Sequence, residues 1–209
     1  MTITLYDFWR SSAAYRVRIA LNLKGVAFER VPISLADGEH HDPSYRAVNA
    51  QALITTLEID GRRLTQSLAI LEYLDETRPD PAFLPSDPAA RAAVRAKAQI
   101  IAADIHPVQN LRVMHRLRDG FGADQEAQFA WNRHWIEAGF AALEVQAGDA
   151  AFLSGDAVGL ADICLVPQMA NARRFKVDLG AYPKLVAIDA RCLDLDAFRR
   201  ASPEAVRPE

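Results

Sequence analysis

Residues 8–25 read FWRSSAAYRVRIALNLKG, and they put Arg10, Ser11 and Ser12 where a strand-like opening hands over to an amphipathic helix. A serine at such a handover can be a nucleophile, an anion binder beside a cation, or only a cap for the first helical turn. Gln66-Ser67 opens a second apolar helical pattern. The free N–H groups of a helix start suit a carboxylate and the hydroxyl adds a donor, although a serine there also serves as an ordinary cap. In AADIHPVQNLRV, Asp104, His106 and Asn110 project polar groups from an otherwise apolar helical segment. His106 precedes Pro107, which favours an irregular backbone facing a site, or a histidine that satisfies a buried backbone group at a kink. HExxH, GxSxG and P-loop glycine patterns are absent, so no zinc hydrolase, nucleophile elbow or phosphate loop competes.

The elements that must position these residues alternate over the first eighty positions. TITLYDF reads as a strand, Ala14 to Leu23 as a helix stopped by Gly25, and AFERVPISL as a second strand paired in parallel through that helix. TTLEIDGRRLTQS reads as a hairpin around Asp60-Gly61, and Ser67 is expected to cap the helix LAILEYLDE. The order is β-α-β followed by β-β-α. Four prolines in RPDPAFLPSDPAA mark a linker. Beyond it the patterns are helical: 91–117, bent near Pro107, then 125–145, an apolar and central 160–174, and two short helices. The expected fold is an α/β N-terminal domain over 1–79, a linker over 80–88 and an all-helical domain over 89–209.

Composition narrows the function classes. With a net charge of −3 and no basic stripe, the chain is not read as a nucleic-acid binder. No apolar run approaches the ~20 residues that span a bilayer, and the N-terminus lacks the pattern of a signal peptide. Cys164 and Cys192 are far apart without metal spacing, which fits reduced thiols in the cytoplasm.

The stretches FWRSS..YRVRIALNLKG, LTQSLAILEYLDETRPDPAFLP, DIHPVQNLRV, GLADICLVPQMANARRFKVDL and YPKLVAI resemble, in the right order, those of zeta-class glutathione S-transferases. That class includes glutathione-dependent maleylacetoacetate and maleylpyruvate isomerases. The resemblance implies a thioredoxin-like domain plus a helical domain, glutathione as cofactor, and a homodimer. It assigns Ser11 as hydrogen-bond donor to the glutathione sulfur, with Arg10 alongside. Gln66 and Ser67 would hold the γ-glutamyl end and His40 the glycine end, while Asp104, His106 and Asn110 would complete the glutathione site. A maleyl keto-acid carries two carboxylates, for which Arg10, Arg112 and Arg174 are the candidate forks.

Five departures from the family pattern stand out. Ala13 replaces a frequent cysteine, and Leu111-Arg112 replaces the arginine pair of the maleylpyruvate enzymes compared. Gly159 stands where a Ser/Thr cap is frequent, with a modest effect on stability expected. Ala50 and Thr55 replace prolines, the second of them normally cis, whose preceding residue would bond the cysteinyl unit of glutathione. The bond before a residue other than proline strongly prefers trans, so Ile54–Thr55 is expected trans, with glutathione binding weakened. The leading expectation is a glutathione-dependent cis-trans isomerase of a maleyl keto-acid in aromatic or tyrosine catabolism. The alternatives are a glutathione transferase or dehalogenase acting on small electrophiles, and a binding protein on the same fold with an impaired glutathione site.

Overall fold

Strand β1 (Thr4–Asp7) is central to its sheet because it pairs on both sides, in parallel with β2 (Glu29–Pro32) and antiparallel with β3 (Thr56–Ile59). Strand β4 (Arg62–Thr65) completes the order β2-β1-β3-β4. The computed structural model describes residues 2–208. The hairpin between β3 and β4 turns on Asp60 (φ 53°) and Gly61 (φ 71°), the pair of left-handed residues that a tight hairpin demands. Helix α1 (Ser12–Leu23) makes the crossover between the parallel strands, and α3 (Ser67–Thr77) packs beside it. Val17, Ile19 and Leu21 of α1, Ile70, Leu71 and Leu74 of α3, and Leu5 and Leu57 of the sheet are buried together as this unit's core. A short helix, α2 (Pro43–Val48), lies in the connection between β2 and β3.

The chain divides into two units, Met1–Ala82 with Asp194–Glu209, and Phe83–Leu193. The helical unit therefore ends at Leu193, whereas the sequence pattern carries it to 209. The physical reason lies in hydrogen bonding. Tyr15, Arg18, Asn22 and Arg30 all donate to carbonyls of residues 197–206, which draws α10 (Asp196–Arg199) and α11 (Pro203–Val206) onto the sheet-bearing unit.

In the helical unit, α8 (Leu160–Arg174) is central, buried without interruption from Leu160 to Met169 and packed against α4 (Pro88–Gln99) and α9 (Pro183–Leu193). Helix α7 (Gln125–Gln146) follows the sequence pattern closely. The expected long helix over 91–117 is instead broken into pieces. Residues Ile100–Ile105 wind as a π-helical segment, α5 (His106–Val108) is a single turn, and α6 (Leu111–Phe121) starts afresh at an Asn110 cap. Pro107 sits in the first turn of α5, where its missing N–H costs nothing. The break comes from Asn110, whose Oδ1 accepts the Arg112 N–H at 3.2 Å. No helix among the described residues is long and apolar enough to cross a membrane.

Candidate active site

In the sheet-bearing unit, Tyr6 pairs with Thr56 and Thr56 with Thr65, so one edge of the sheet releases three segments together. These are residues 8–11 after β1, Ile54–Thr55 before β3, and Gln66-Ser67 after β4. The loop carrying His40 leaves the same edge, because Pro32 at the end of β2 lies opposite Asp7.

Ser11 is the N-cap of α1. Its backbone is extended, its own N–H donates to Phe8 O at 2.8 Å, and its Oγ accepts the Ala14 N–H at 3.2 Å. The alternatives of cap and ligand donor are thus not exclusive. The cap uses a lone pair of the hydroxyl oxygen, while the O–H hydrogen remains available to donate outward. Ser12 and Ala13 are buried behind it. Arg10 is exposed, with its guanidinium carbon 5.7 Å from the Phe8 ring and 5.1 Å from the Trp9 ring.

The Ile54–Thr55 bond is cis, which overturns the expectation of a trans bond and removes the sequence-based reason for re-aimed Ile54 groups. Contacts of the fold dictate the local path here. Thr55 is buried and donates from Oγ1 to Tyr6 O at 2.7 Å, while Tyr45 Oη and Asn49 Nδ2 both donate to Leu53 O, at 2.7 and 2.8 Å. Burial pushes the Tyr45 phenol above its ordinary pKa, so it stays a neutral donor. Sequence reasoning missed Tyr45 and Asn49. Tyr45 lies within α2 and Asn49 is its C-cap, with an extended backbone that turns the chain toward Leu53.

Gln66, not Ser67, occupies the cap position of α3, at φ 67°, and its side chain makes no capping bond. Its Nε2 donates instead to Gln51 Oε1 at 2.9 Å. The expected Ser67 cap is therefore corrected: Ser67 is the first helical residue, displaced because β4 runs to Thr65 and leaves Gln66 alone to make the turn. The Ser67 hydroxyl accepts from Arg16 Nη1 at 3.2 Å. Arg16, only 1% exposed, is a second residue that sequence reasoning missed, since an arginine on an amphipathic helix reads as surface by default. His40 lies half-buried in a 3-10 turn (Glu39–His41), its ring 3.9 Å from that of His41.

In the helical unit, Asp104 is exposed on the π-helical segment, His106 opens α5, Asn110 caps α6, and Arg112 is exposed in the first turn of α6. This corner is pinned by two groups absent from the sequence reading. Trp131 Nε1 donates to Val108 O at 2.9 Å, and the buried amides of Gln109 and Gln168 bond reciprocally at 2.7 and 3.2 Å. Arg174 is exposed at the C-terminal end of α8, 5.3 Å over the Phe175 ring. The structure thus brings Ser11, Ile54–Thr55 and Gln66-Ser67 to one edge of the sheet, and Asp104, His106, Asn110 and Arg112 to one corner of the helical unit. Arg174 stands apart from that corner in sequence, further along α8 than Gln168. No metal-holding group of His, Cys, Asp or Glu occurs among the described residues.

Comparison with known proteins matches residues 1–76 to the N-terminal domain of glutathione S-transferases. A maleylacetoacetate isomerase of Rhizobium meliloti is 51% identical over 98% of this chain and 97% of its own. A maleylpyruvate isomerase of Ralstonia is 48% identical over 96% and 97%. Among solved structures, a zeta-class maleylpyruvate isomerase superposes with a TM-score of 0.96 at 48% identity, covering 99% of both chains. A maleylacetoacetate isomerase of Methylobacterium extorquens AM1, with malonate and glutathione bound, gives a TM-score of 0.94 at 42% identity over 98% of both. By sequence over nearly its whole length and by fold, the chain belongs to the glutathione S-transferase family.

Proposed function

We propose that this chain is a glutathione-dependent cis-trans isomerase of a maleyl keto-acid, maleylacetoacetate or maleylpyruvate. The observation that carries the reading is Ser11, whose oxygen is engaged by its own helix while its hydrogen is left to a ligand at the sheet edge. The residues present fit glutathione. The α3 N-terminus, with no capping side chain, suits a carboxylate, and Ser67 adds a hydroxyl. Ile54 supplies backbone groups for the peptide portion, and His40 meets the glycine end from the β2 loop.

Glutathione, when bound, supplies a thiolate that adds to the cis double bond, permits rotation about it, and leaves to give the trans isomer. The protein supplies orientation and charge. Ser11 donates to the sulfur and, with the positive end of α1, keeps it ionised near neutral pH. Arg10, Arg112 and Arg174 fork onto the substrate carboxylates, and the same cations stabilise negative charge that develops on the carbonyl oxygen. The family resemblance assigns Asp104, His106 and Asn110 to glutathione as well. We assign the protein to the cytoplasm, to aromatic catabolism and to a homodimer; two buried cysteines outside any disulfide support the first, and the family resemblance supports all three.

A second reading, a transferase or dehalogenase acting on small electrophiles, is favoured by exposed Leu111 in place of a cation beside Arg112. Glutathione-affinity binding followed by isomerisation of maleylacetoacetate and maleylpyruvate, with a chlorinated acid alongside, separates the two. Turnover of only the chlorinated acid would refute the isomerase.

A further inference from the structure

Asp7, Arg18 and Arg30 form a charge cluster that the chemistry above does not use. Asp7 is fully buried and Arg18 is 1% exposed, a costly setting for ions unless every group is paired. Asp7 Oδ1 accepts from Arg18 Nη1 at 2.5 Å, and its Oδ2 accepts from Arg30 Nε at 2.6 Å. Further donors reach backbone carbonyls: Arg18 Nη2 bonds Trp9 O at 3.1 Å, Arg18 Nε bonds Ala201 O at 2.9 Å, and Arg30 Nη1 bonds Val206 O at 3.0 Å. Arg207 adds a second hold, with its guanidinium carbon 5.2 Å from the Trp9 ring.

These contacts have a direction. Trp9 belongs to the turn closed by Ser11 N–H on Phe8 O, the turn that aims Arg10 and Ser11. One face of that turn is gripped through its carbonyl by Arg18 and through its ring by Arg207, and both grips lead to the last residues of the chain. A well-packed apolar cluster would stabilise the fold at least as well as a buried ion triad. What apolar groups cannot do is fix the direction of a carbonyl. One carboxylate facing two guanidiniums also leaves one net positive charge beneath the turn, with the sign that favours a thiolate.

We propose that Arg18 and Arg30 are positioning residues that lock the Phe8–Ser11 turn to the C-terminal segment, so that the aim and field of Ser11 depend on residues 197–207. The proposal rests on the reading of Ser11 as the thiolate's partner.

The test uses the full chain with Arg18→Lys and Arg30→Gln. Lysine keeps the charge but, as a single ammonium, cannot serve Asp7, Trp9 and Ala201 in their separate directions. Arg30→Gln is the milder change, because Arg30 is partly exposed and Asp7 keeps its bond to Arg18. Hydrogen exchange is followed in segments 8–14 and 197–207, together with the thiolate absorbance of bound glutathione near neutral pH and the separate kcat and KM for glutathione. In the folded variants we expect exchange to quicken in both segments, thiolate absorbance to fall, and KM to rise by roughly tenfold with a smaller change in kcat. Quickened exchange confined to 197–207, or an unchanged thiolate signal, would overturn the proposal and leave the cluster a purely structural one. Should Arg18→Lys fail to fold, Arg30→Gln decides by the same readouts. Should the parent fail to bind glutathione, the assignment of Ser11 falls, while exchange in segment 8–14 still decides whether the tail holds the turn.

Discussion

Replacing Gly159 by serine, which would give α8 the cap hydroxyl frequent at this position, should destabilise the protein. By capping preference alone the change is worth a few tenths of a kcal/mol in favour of serine. The backbone at Gly159 is extended, at φ −154° and ψ −159°, so any residue could adopt it. The obstacle is space: a Cβ there would stand 2.6 Å from Phe83 O and 2.9 Å from both Cβ and Oγ of Ser154. Nor is a donor left for the new hydroxyl to satisfy. Leu160 N–H donates to Phe83 O at 2.9 Å, Ala161 N–H to Ser154 Oγ at 3.1 Å, and the Asp162 and Ile163 N–H groups to Gly159 O at 3.1 and 3.0 Å. Asp162, fully buried, accepts in turn from Leu153, Ser154 and Gly159 N–H. Ser154, from the preceding loop, has taken over the cap, and the space it needs is the space a Gly159 side chain would fill. Overpacking of this kind costs about 1–3 kcal/mol. Reduced freedom of the unfolded chain returns about 0.4–1 kcal/mol, so a net loss of about 1–2 kcal/mol is expected. For a chain of this length that is a drop in Tm of roughly 2–8 °C. Thermal and urea unfolding followed by far-ultraviolet circular dichroism measures it for Gly159→Ser and Gly159→Ala. If Gly159→Ser melts at or above the parent, the reasoning fails.

Four further outcomes follow from the same geometry. Ser11→Ala loses the donor to the thiolate and should lower kcat/KM by about a hundredfold, with about 1 kcal/mol of stability lost with the cap; an unchanged thiolate absorbance of bound glutathione would exclude the role. Arg174→Ala should raise KM for a dicarboxylate substrate by about tenfold, and Arg174→Lys should restore only part of it, because a point charge replaces a fork; steady-state kinetics decides. The Asp60 carboxylate, bonded by Arg78 and the Tyr73 hydroxyl, is held below the ordinary range, so its contribution to stability is present above about pH 4 and is lost as pH falls through its lowered value. Asp60→Asn, which still suits the turn, should therefore be less stable than the parent at neutral pH and equal to it in acid, as urea midpoints across pH would record. Cys164 and Cys192 are fully buried and burial pushes the Cys192 thiol up, so neither should react with an aromatic disulfide reagent until the protein is unfolded.

The alternation of apolar residues and the Asp60-Gly61 turn by themselves determined the order of the four strands with α1 and α3, though not the short α2. Each of these is a local signal, read from neighbours in the chain. The motifs around Ser11, Gln66 and His106 likewise carried the resemblance to glutathione S-transferases. Tertiary structure decided what depends on partners distant in sequence. Arg16 and Arg18 lie on a helix whose pattern makes them surface residues, yet both are buried, because Ser67, Asp7 and the carbonyls of Trp9 and Ala201 converge on them from elsewhere in the chain. The last residues, 194–208, read as a continuation of the helical unit until the donors of Tyr15, Arg18, Asn22 and Arg30 are seen to hold them against the sheet-bearing one. The cis bond at Ile54–Thr55 runs against the local preference of a non-proline residue, and the contacts of Thr55, Tyr45 and Asn49 that surround it come from β1 and from the end of α2. Sequence pattern records the energetics of nearest neighbours, whereas buried charges and carbonyl-directed hydrogen bonds belong to groups that meet only once the chain has folded.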